Sequence, residues 1–219
     1  MNDLKKAAEI HKNVPPDWYF SSMRTNFCQN FWHRTRIEHI KNLIKYRKNC
    51  KVLDIGCADG MFTEVIANST GAKEIIGIDA LETSIKWAKK HFKSDKRFKF
   101  EVADIHRLKY KNESFDFVFA LEVLEHVLKP NDALLEIKRV LKIGGEGIFL
   151  VPTDTLLFRF IWFFWTKFFK GKIWDDCHLQ SYRSNLLVKM CTDAGFDIVN
   201  EDRFLLGMLV SVKVKKLKK

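Results

Sequence analysis

Apolar positions along this chain follow two rhythms. From about 27 to 47, Phe27, Phe31, Ile37, Ile40 and Ile44 recur at helical spacing, with Arg34, Arg36, Lys41, Lys45 and Arg47 between them. That pattern predicts an amphipathic basic helix. The VPP triplet at 14–16 breaks any earlier helix. Short apolar runs then predict strands: KVLDIG from 51, EIIGIDA from 74, RFKFEVAD from 97, ESFDFVFA from 113 and EGIFLV from 146. Helical stretches separate them. MFTEVIANS follows the first strand. LETSIKWAKKHF sets Ile85, Ala88 and Phe92 on one face. NDALLEIKRVLKIGG has an Asp near its start and glycines at its stop. Strands alternating with helices imply a parallel sheet covered on both faces. The tail differs: SNLLVKMCTDAGF predicts a helix ending at Gly195, and FDIVNEDRFLLGMLVSVKVKK predicts two strands paired antiparallel at a sheet edge.

Composition adds size and charge. With 219 residues, 47% of them hydrophobic, the chain can bury a sizeable core and fits one decorated domain. The net charge is +11. Residues 1–50 carry ten basic and four acidic side chains, and residues 201–219 carry six and two. Basic ends on a nearly neutral middle suit an anionic partner, lipid headgroups or nucleic acid, or serve solubility alone. The five cysteines form no CxxC pair, which favours a reducing compartment. No apolar run near the start suits a signal peptide, so a cytoplasmic protein is expected.

VLDIGCADG at 52–60 is the sharpest motif. Asp54 ends the first strand, Gly56 and Gly60 let backbone approach a ligand, and a helix N-terminus follows. The spacing is neither that of a dinucleotide fingerprint nor that of a phosphate loop. Asp79 ends the second strand, where a carboxylate can accept two ribose hydroxyls. Asp104 ends the third, where it can take hydrogen bonds from an adenine amino group. Ligands in such sheets lie beyond the carboxyl ends of the strands.

This ordered set resembles the class I S-adenosylmethionine-dependent methyltransferases, closely over 50–151 and more loosely to 214. The resemblance implies an α/β, Rossmann-like, seven-stranded mixed sheet with one antiparallel edge strand and helices on both faces. It implies S-adenosylmethionine as cofactor. Asp54, Gly56 and Gly60 would surround its methionine part, Asp79 its ribose, and Asp104 with Ile105 its adenine, with Cys57, Ala80 and Leu121 also at the cofactor. One departure is visible: the middle glycine common in this turn is Ala58 here, tolerable unless that position needs positive φ. Residues 1–49 are expected to form a helical cap on a domain spanning 50–219, with an aromatic insert at 153–175.

LEVLEHV at 121–127 follows the fourth strand. On a helical turn Glu122, Glu125 and His126 would share one face. Three readings stand open. The trio binds a divalent ion such as Mg²⁺, with His178 as fourth ligand, a cluster similar to those of the ubiquinone-pathway O-methyltransferases and the small-RNA 2′-O-methyltransferases. Alternatively His126, with Glu122, acts as catalytic base. Otherwise the segment is an ordinary polar turn.

The run PTDTLLFRFIWFFWTKFFKGKIW at 152–174 is apolar all round its helical part and too short to span a bilayer. Trp162, Trp165 and Trp174 among phenylalanines, with Lys167, Lys170 and Lys172 nearby, suit a membrane interface. A lid over the site and a dimer surface are the alternatives. The expected activity is methyl transfer to an oxygen or nitrogen of a small, apolar or lipid-like molecule at an anionic membrane surface. A metal-dependent RNA 2′-O-methyltransferase and a non-catalytic partner with this fold remain as alternatives. The aromatic excess argues against nucleic acid.

Overall fold

The computed structural model describes residues 3–168, 179–183 and 185–218. Three helices open the chain: α1 (Asp3–Ile10), α2 (Trp18–Thr25) and α3 (Phe27–Leu43). Then come β1 (Cys50–Ile55), α4 (Met61–Thr70), β2 (Ala72–Asp79), α5 (Glu82–His91), β3 (Phe98–Val102) and β4 (Phe115–Leu121). A 3₁₀ turn at Leu124–His126 leads to α6 (Pro130–Val140) and β5 (Leu141–Pro152). Next are α7 (Leu156–Phe168), α8 (Leu186–Asp193), β6 (Asp197–Phe204) and β7 (Leu209–Lys215). The seven strands form one sheet in the order β3-β2-β1-β4-β5-β7-β6. The first five pair in parallel, and β7 runs antiparallel to both β5 and β6.

The sheet order reverses between β1 and β4, so a crevice opens beyond their carboxyl ends. The central strands are buried on both faces because helices cover both. Ile55, Val118, Phe149 and Leu134 fill one apolar cluster, while Val52, Ile75, Ile148 and Ile66 fill another. Ile37 and Ile40 of α3 belong to the second cluster, which seats the N-terminal helices on the sheet.

Three expectations change. Phe27 and Phe31 do not join the buried face of α3; they are 86% and 59% exposed, and His33 and Arg36 are buried there instead. Helix α6 stops at Val140, and Gly144 and Gly145 lie inside β5, where the register with β4 shifts. Glu122 has φ +55, a left-handed conformation that ends β4 before the single 3₁₀ turn starts. Glu122, Glu125 and His126 therefore do not share a helical face.

Ile40 is fully buried, so Ile40→Ala removes packing between the N-terminal helices and the sheet. We expect a loss of about 2–5 kcal/mol in one cooperative urea transition. Unchanged stability would mean that α3 is an independent appendage.

Candidate active site

The glycine turn after β1 holds three left-handed residues, Gly56 (φ +70), Ala58 (φ +46) and Gly60 (φ +85). The alanine thus sits where positive φ is needed, contrary to the tolerance read from sequence, and an L-residue there costs about 1–2 kcal/mol. Its backbone N–H donates to Asp79 Oδ2 at 2.9 Å, which offsets part of that cost. Asp79 Oδ1 accepts from Leu81 N–H at 2.8 Å. Burial raises the Asp79 pKa, and these two N–H donors pull it back. Gly56 and Cys57 both donate to Ile78 O, so the turn is stitched to β2 along its length.

Asp59 carries no assignment from sequence, yet it ties the N-terminal helices to this turn. Its Oδ2 accepts from Tyr19 N–H (2.8 Å) and Phe20 N–H (3.0 Å), and its Oδ1 accepts from Met61 N–H (3.1 Å). The N-cap residue of α2, Asp17, makes no side-chain cap bond, so Asp59 supplies one from across the fold. Burial lifts Asp59 to about 6. Asp54 lies deeper, with Thr63 Oγ1 donating to its Oδ2 at 2.6 Å, and burial lifts it to about 7.

Two cavities meet here. The first runs under α1 along the carboxyl ends of the strands. Its wall includes Gly56, Asp79, Ala80, Asp104, Ile105, Glu122 and His126. Cys57, Gly60, Asp54 and Leu121 stand behind that wall; Cys57 packs with Phe92 and Phe100, and Leu121 with the apolar cluster under α3. The second cavity, of about 480 Å³, lies between α2, α3 and α7. Trp32, Phe158, Trp162 and Trp165 make it apolar. Trp18, Tyr19, Glu122 and His126 line both cavities and form their junction.

The floor of the second cavity is polar and buried. Arg36 Nη2 meets Glu122 Oε2 at 2.7 Å, and Arg36 Nη1 meets His33 Nδ1 at 3.0 Å. Burial, then the Arg36 charge, drive His33 down to about 3, so it is neutral and accepts from Arg36. His33 Nε2 in turn meets Ser22 Oγ at 3.3 Å. Burial raises Glu122, while Arg36 opposes the rise. Glu125 is raised well above the usual range by burial, then by the Glu122 charge. The backbone C=O of Glu125 accepts from Leu179 and Gln180 N–H. His126 stacks edge-on against His11 of the N-terminal segment at 4.6 Å and approaches Glu125 Oε1 at 3.9 Å.

Arg36 and His33 went unassigned in the sequence because their positions look solvent-facing between Phe31 and Ile37. Among the described residues, no group of three or more His, Cys, Asp or Glu could hold a metal ion, and His178 lies outside the described residues. The Arg36 guanidinium already occupies the charge position beside Glu122.

The first cavity fits S-adenosylmethionine by its chemistry. A half-buried carboxylate at the end of β2 keeps lone pairs for two hydroxyls, and Leu81, Ala103 and Ile105 give apolar walls for a flat ring. The glycine turn admits backbone contact.

Residues 53–149 match the methyltransferase domain family. The ubiquinone biosynthesis O-methyltransferase of Pelagibacter ubique is 33% identical over 165 residues, 70% of this chain and 66% of that one. The mitochondrial ubiquinone biosynthesis O-methyltransferase of Schizosaccharomyces pombe is 33% identical over 134 residues, 58% of this chain and 48% of that one. The chain spans from 39% to 66% of the length of the first such relatives. Among solved structures, an S-adenosylmethionine-dependent methyltransferase of Aquifex aeolicus superposes with a TM-score of 0.65 at 16% identity, covering 95% of this chain and 97% of that one. That likeness speaks for the fold.

Asp54 gives a test of the buried turn. Its carboxyl holds its proton up to about 7 in the folded chain against an ordinary 3.8. The folded state therefore loses stability as pH rises through that interval. Asp54→Asn keeps an acceptor for Thr63 without the ionisation. The variant should melt well above wild type near pH 8, with the gap closing toward pH 4. A gap that does not depend on pH would refute the assignment.

Proposed function

This chain belongs to the class I S-adenosylmethionine-dependent methyltransferases, and we propose that it moves a methyl group from that cofactor to an oxygen or nitrogen of a small, apolar, lipid-like acceptor. The observation that carries the reading is the junction: a cofactor-shaped cavity and an apolar cavity share Trp18, Tyr19, Glu122 and His126. Bound S-adenosylmethionine supplies an activated methyl group. The protein's part is to hold the acceptor in line with that methyl and to keep water out. Trp32, Phe158, Trp162 and Trp165 hold an apolar acceptor body and exclude water. His126, at the junction, is the side chain placed to take the proton of an attacking hydroxyl or amine. Glu122, fixed by Arg36, offers a carboxylate at the same point. The names of two relatives, which refer to O-methylation in ubiquinone biosynthesis, support an oxygen acceptor on a lipid-like molecule.

The finer part of this reading is a membrane surface on the cytoplasmic side. No helix among the described residues is long and apolar enough to cross a membrane. Helix α7 turns Phe158, Phe160, Trp162 and Trp165 toward the acceptor cavity, while Leu156 and Phe163 lie outside it, 83% and 54% exposed. Arg159 and Lys167 flank them. A helix with large apolar side chains outward and cations at its sides suits insertion among headgroups, with the acceptor cavity on its inner face.

Calorimetric titration with S-adenosylhomocysteine tests the cofactor assignment. Wild type should bind, and Asp79→Ala should weaken binding by roughly a hundredfold, since no other carboxylate replaces it at the end of β2 for the ribose hydroxyls. Silence in wild type would end the enzyme reading.

Vesicle flotation tests the surface. The chain should float with phosphatidylserine-containing vesicles, and Leu156→Ser with Phe163→Ser should cut the bound fraction several-fold without lowering the melting temperature. Equal flotation of both proteins would refute a role for this face.

A further inference from the structure

Tyr19, in the first turn of α2, is held from every side but one. Its backbone N–H donates to Asp59 Oδ2 at 2.8 Å, and its C=O accepts from Ser22 Oγ at 3.2 Å. Its ring stands edge-on to His33 and Phe62, with centroids 5.3 and 6.2 Å away. The hydroxyl is different. Among the described residues it meets no hydrogen-bond partner, and it is not sealed from the space around it. The residue belongs to the walls of both cavities, where they join. Burial pushes the phenol above its ordinary pKa; the Arg36 charge opposes that rise and the Glu122 charge adds to it. The hydroxyl therefore keeps its proton and remains a donor. A donor fixed in direction and left without an acceptor is completed by a ligand.

Within the acceptor reading above, on which this inference rests, we propose that the Tyr19 hydroxyl donates a hydrogen bond to the atom that attacks the methyl group, and that this contact selects oxygen over nitrogen. A hydroxyl oxygen has two lone pairs. Tyr19 occupies one, the other is left to attack, and the proton goes to His126 at the same junction. Tyr19 keeps its own proton throughout. A neutral amine nitrogen has a single lone pair. With Tyr19 bonded to it, no pair is left to attack; without that bond, the buried hydroxyl stays unsatisfied. The choice between oxygen and nitrogen, open until here, is thereby given to one side chain.

The test is tryptophan fluorescence on the full chain loaded with S-adenosylhomocysteine, since Trp32, Trp162 and Trp165 line the acceptor cavity. Two probes are titrated, para-nonylphenol and para-nonylaniline, which differ only in the polar head. Tyr19→Phe keeps the ring between His33 and Phe62 and removes only the donor. Wild type should bind the phenol more tightly than the aniline, and Tyr19→Phe should lower the phenol-to-aniline affinity ratio by on the order of tenfold. Taking the ratio on one variant removes any general loss of stability. An unchanged ratio in Tyr19→Phe would overturn the proposal, as would a wild type that prefers the aniline. Failure of Tyr19→Phe to take up S-adenosylhomocysteine would place the hydroxyl on the cofactor and overturn it too. If neither probe binds wild type, the acceptor reading itself falls, and the two failures are told apart.

Discussion

The site depends on one constraint: the chain must turn from β1 into α4 through three left-handed residues. Gly56 and Gly60 do this without steric cost, and Ala58 does it under strain. What holds the turn is the adjacent strand. Ile78 O takes the N–H groups of Gly56 and Cys57, and Asp79 takes that of Ala58. Under the proposed function the same carboxylate is offered to the ribose, so structure and binding would draw on a single side chain. Gly77 belongs to the same constraint. A Cβ there would come within 2.7 Å of Phe100 and 2.9 Å of Cys57 Sγ, so β2 must stay bare for the turn to lie close.

Asp59 extends this turn into the cap. By capping α2 from a distance it fixes Trp18 and Tyr19 at the junction, since its oxygen holds the N–H of Tyr19 itself. A second tie comes from Arg36, which is 1% exposed and reaches Glu122 at the end of β4. Glu122 is left-handed and donates its N–H to Leu150 O. Taking a buried ion pair out of water is expensive, and such pairs are weak evidence for stability. Their value here is geometric: Asp59 and Arg36 join the walls of the two cavities at two separate points.

The legible part of the sequence was the part governed by local rules. Strand alternation, the glycine turn and the acids at the ends of β2 and near the end of β3 all survive in the structure, because a parallel sheet forces its loops to one edge. The illegible part was set by contacts between distant segments. Periodicity placed Phe27 and Phe31 with Ile40 on one face. The structure buries His33 and Arg36 instead, because Ser22 and Glu122 satisfy them. No helical repeat contains that information. The 122–126 segment failed as a helix for a local reason that composition hides, a left-handed glutamate before the first turn.

Helix α7 shows why an all-round apolar pattern resists a single explanation. A helix buried on one side needs a polar outer face in water. This one has Phe158, Phe160, Trp162 and Trp165 lining the cavity, and Leu156 and Phe163 exposed outside it. A lid and a membrane surface, set against each other as alternatives, would use opposite faces of the same helix. The inner face needs apolar bulk to exclude water from an apolar acceptor. The outer face gains nothing from it in water, since exposed apolar surface is unfavourable by roughly 25 cal/mol per Å². Under the proposed function, a bilayer would remove that penalty and would also hold the acceptor proposed for the cavity. An acceptor that partitions into lipid would then reach its cavity most directly past a helix that does the same.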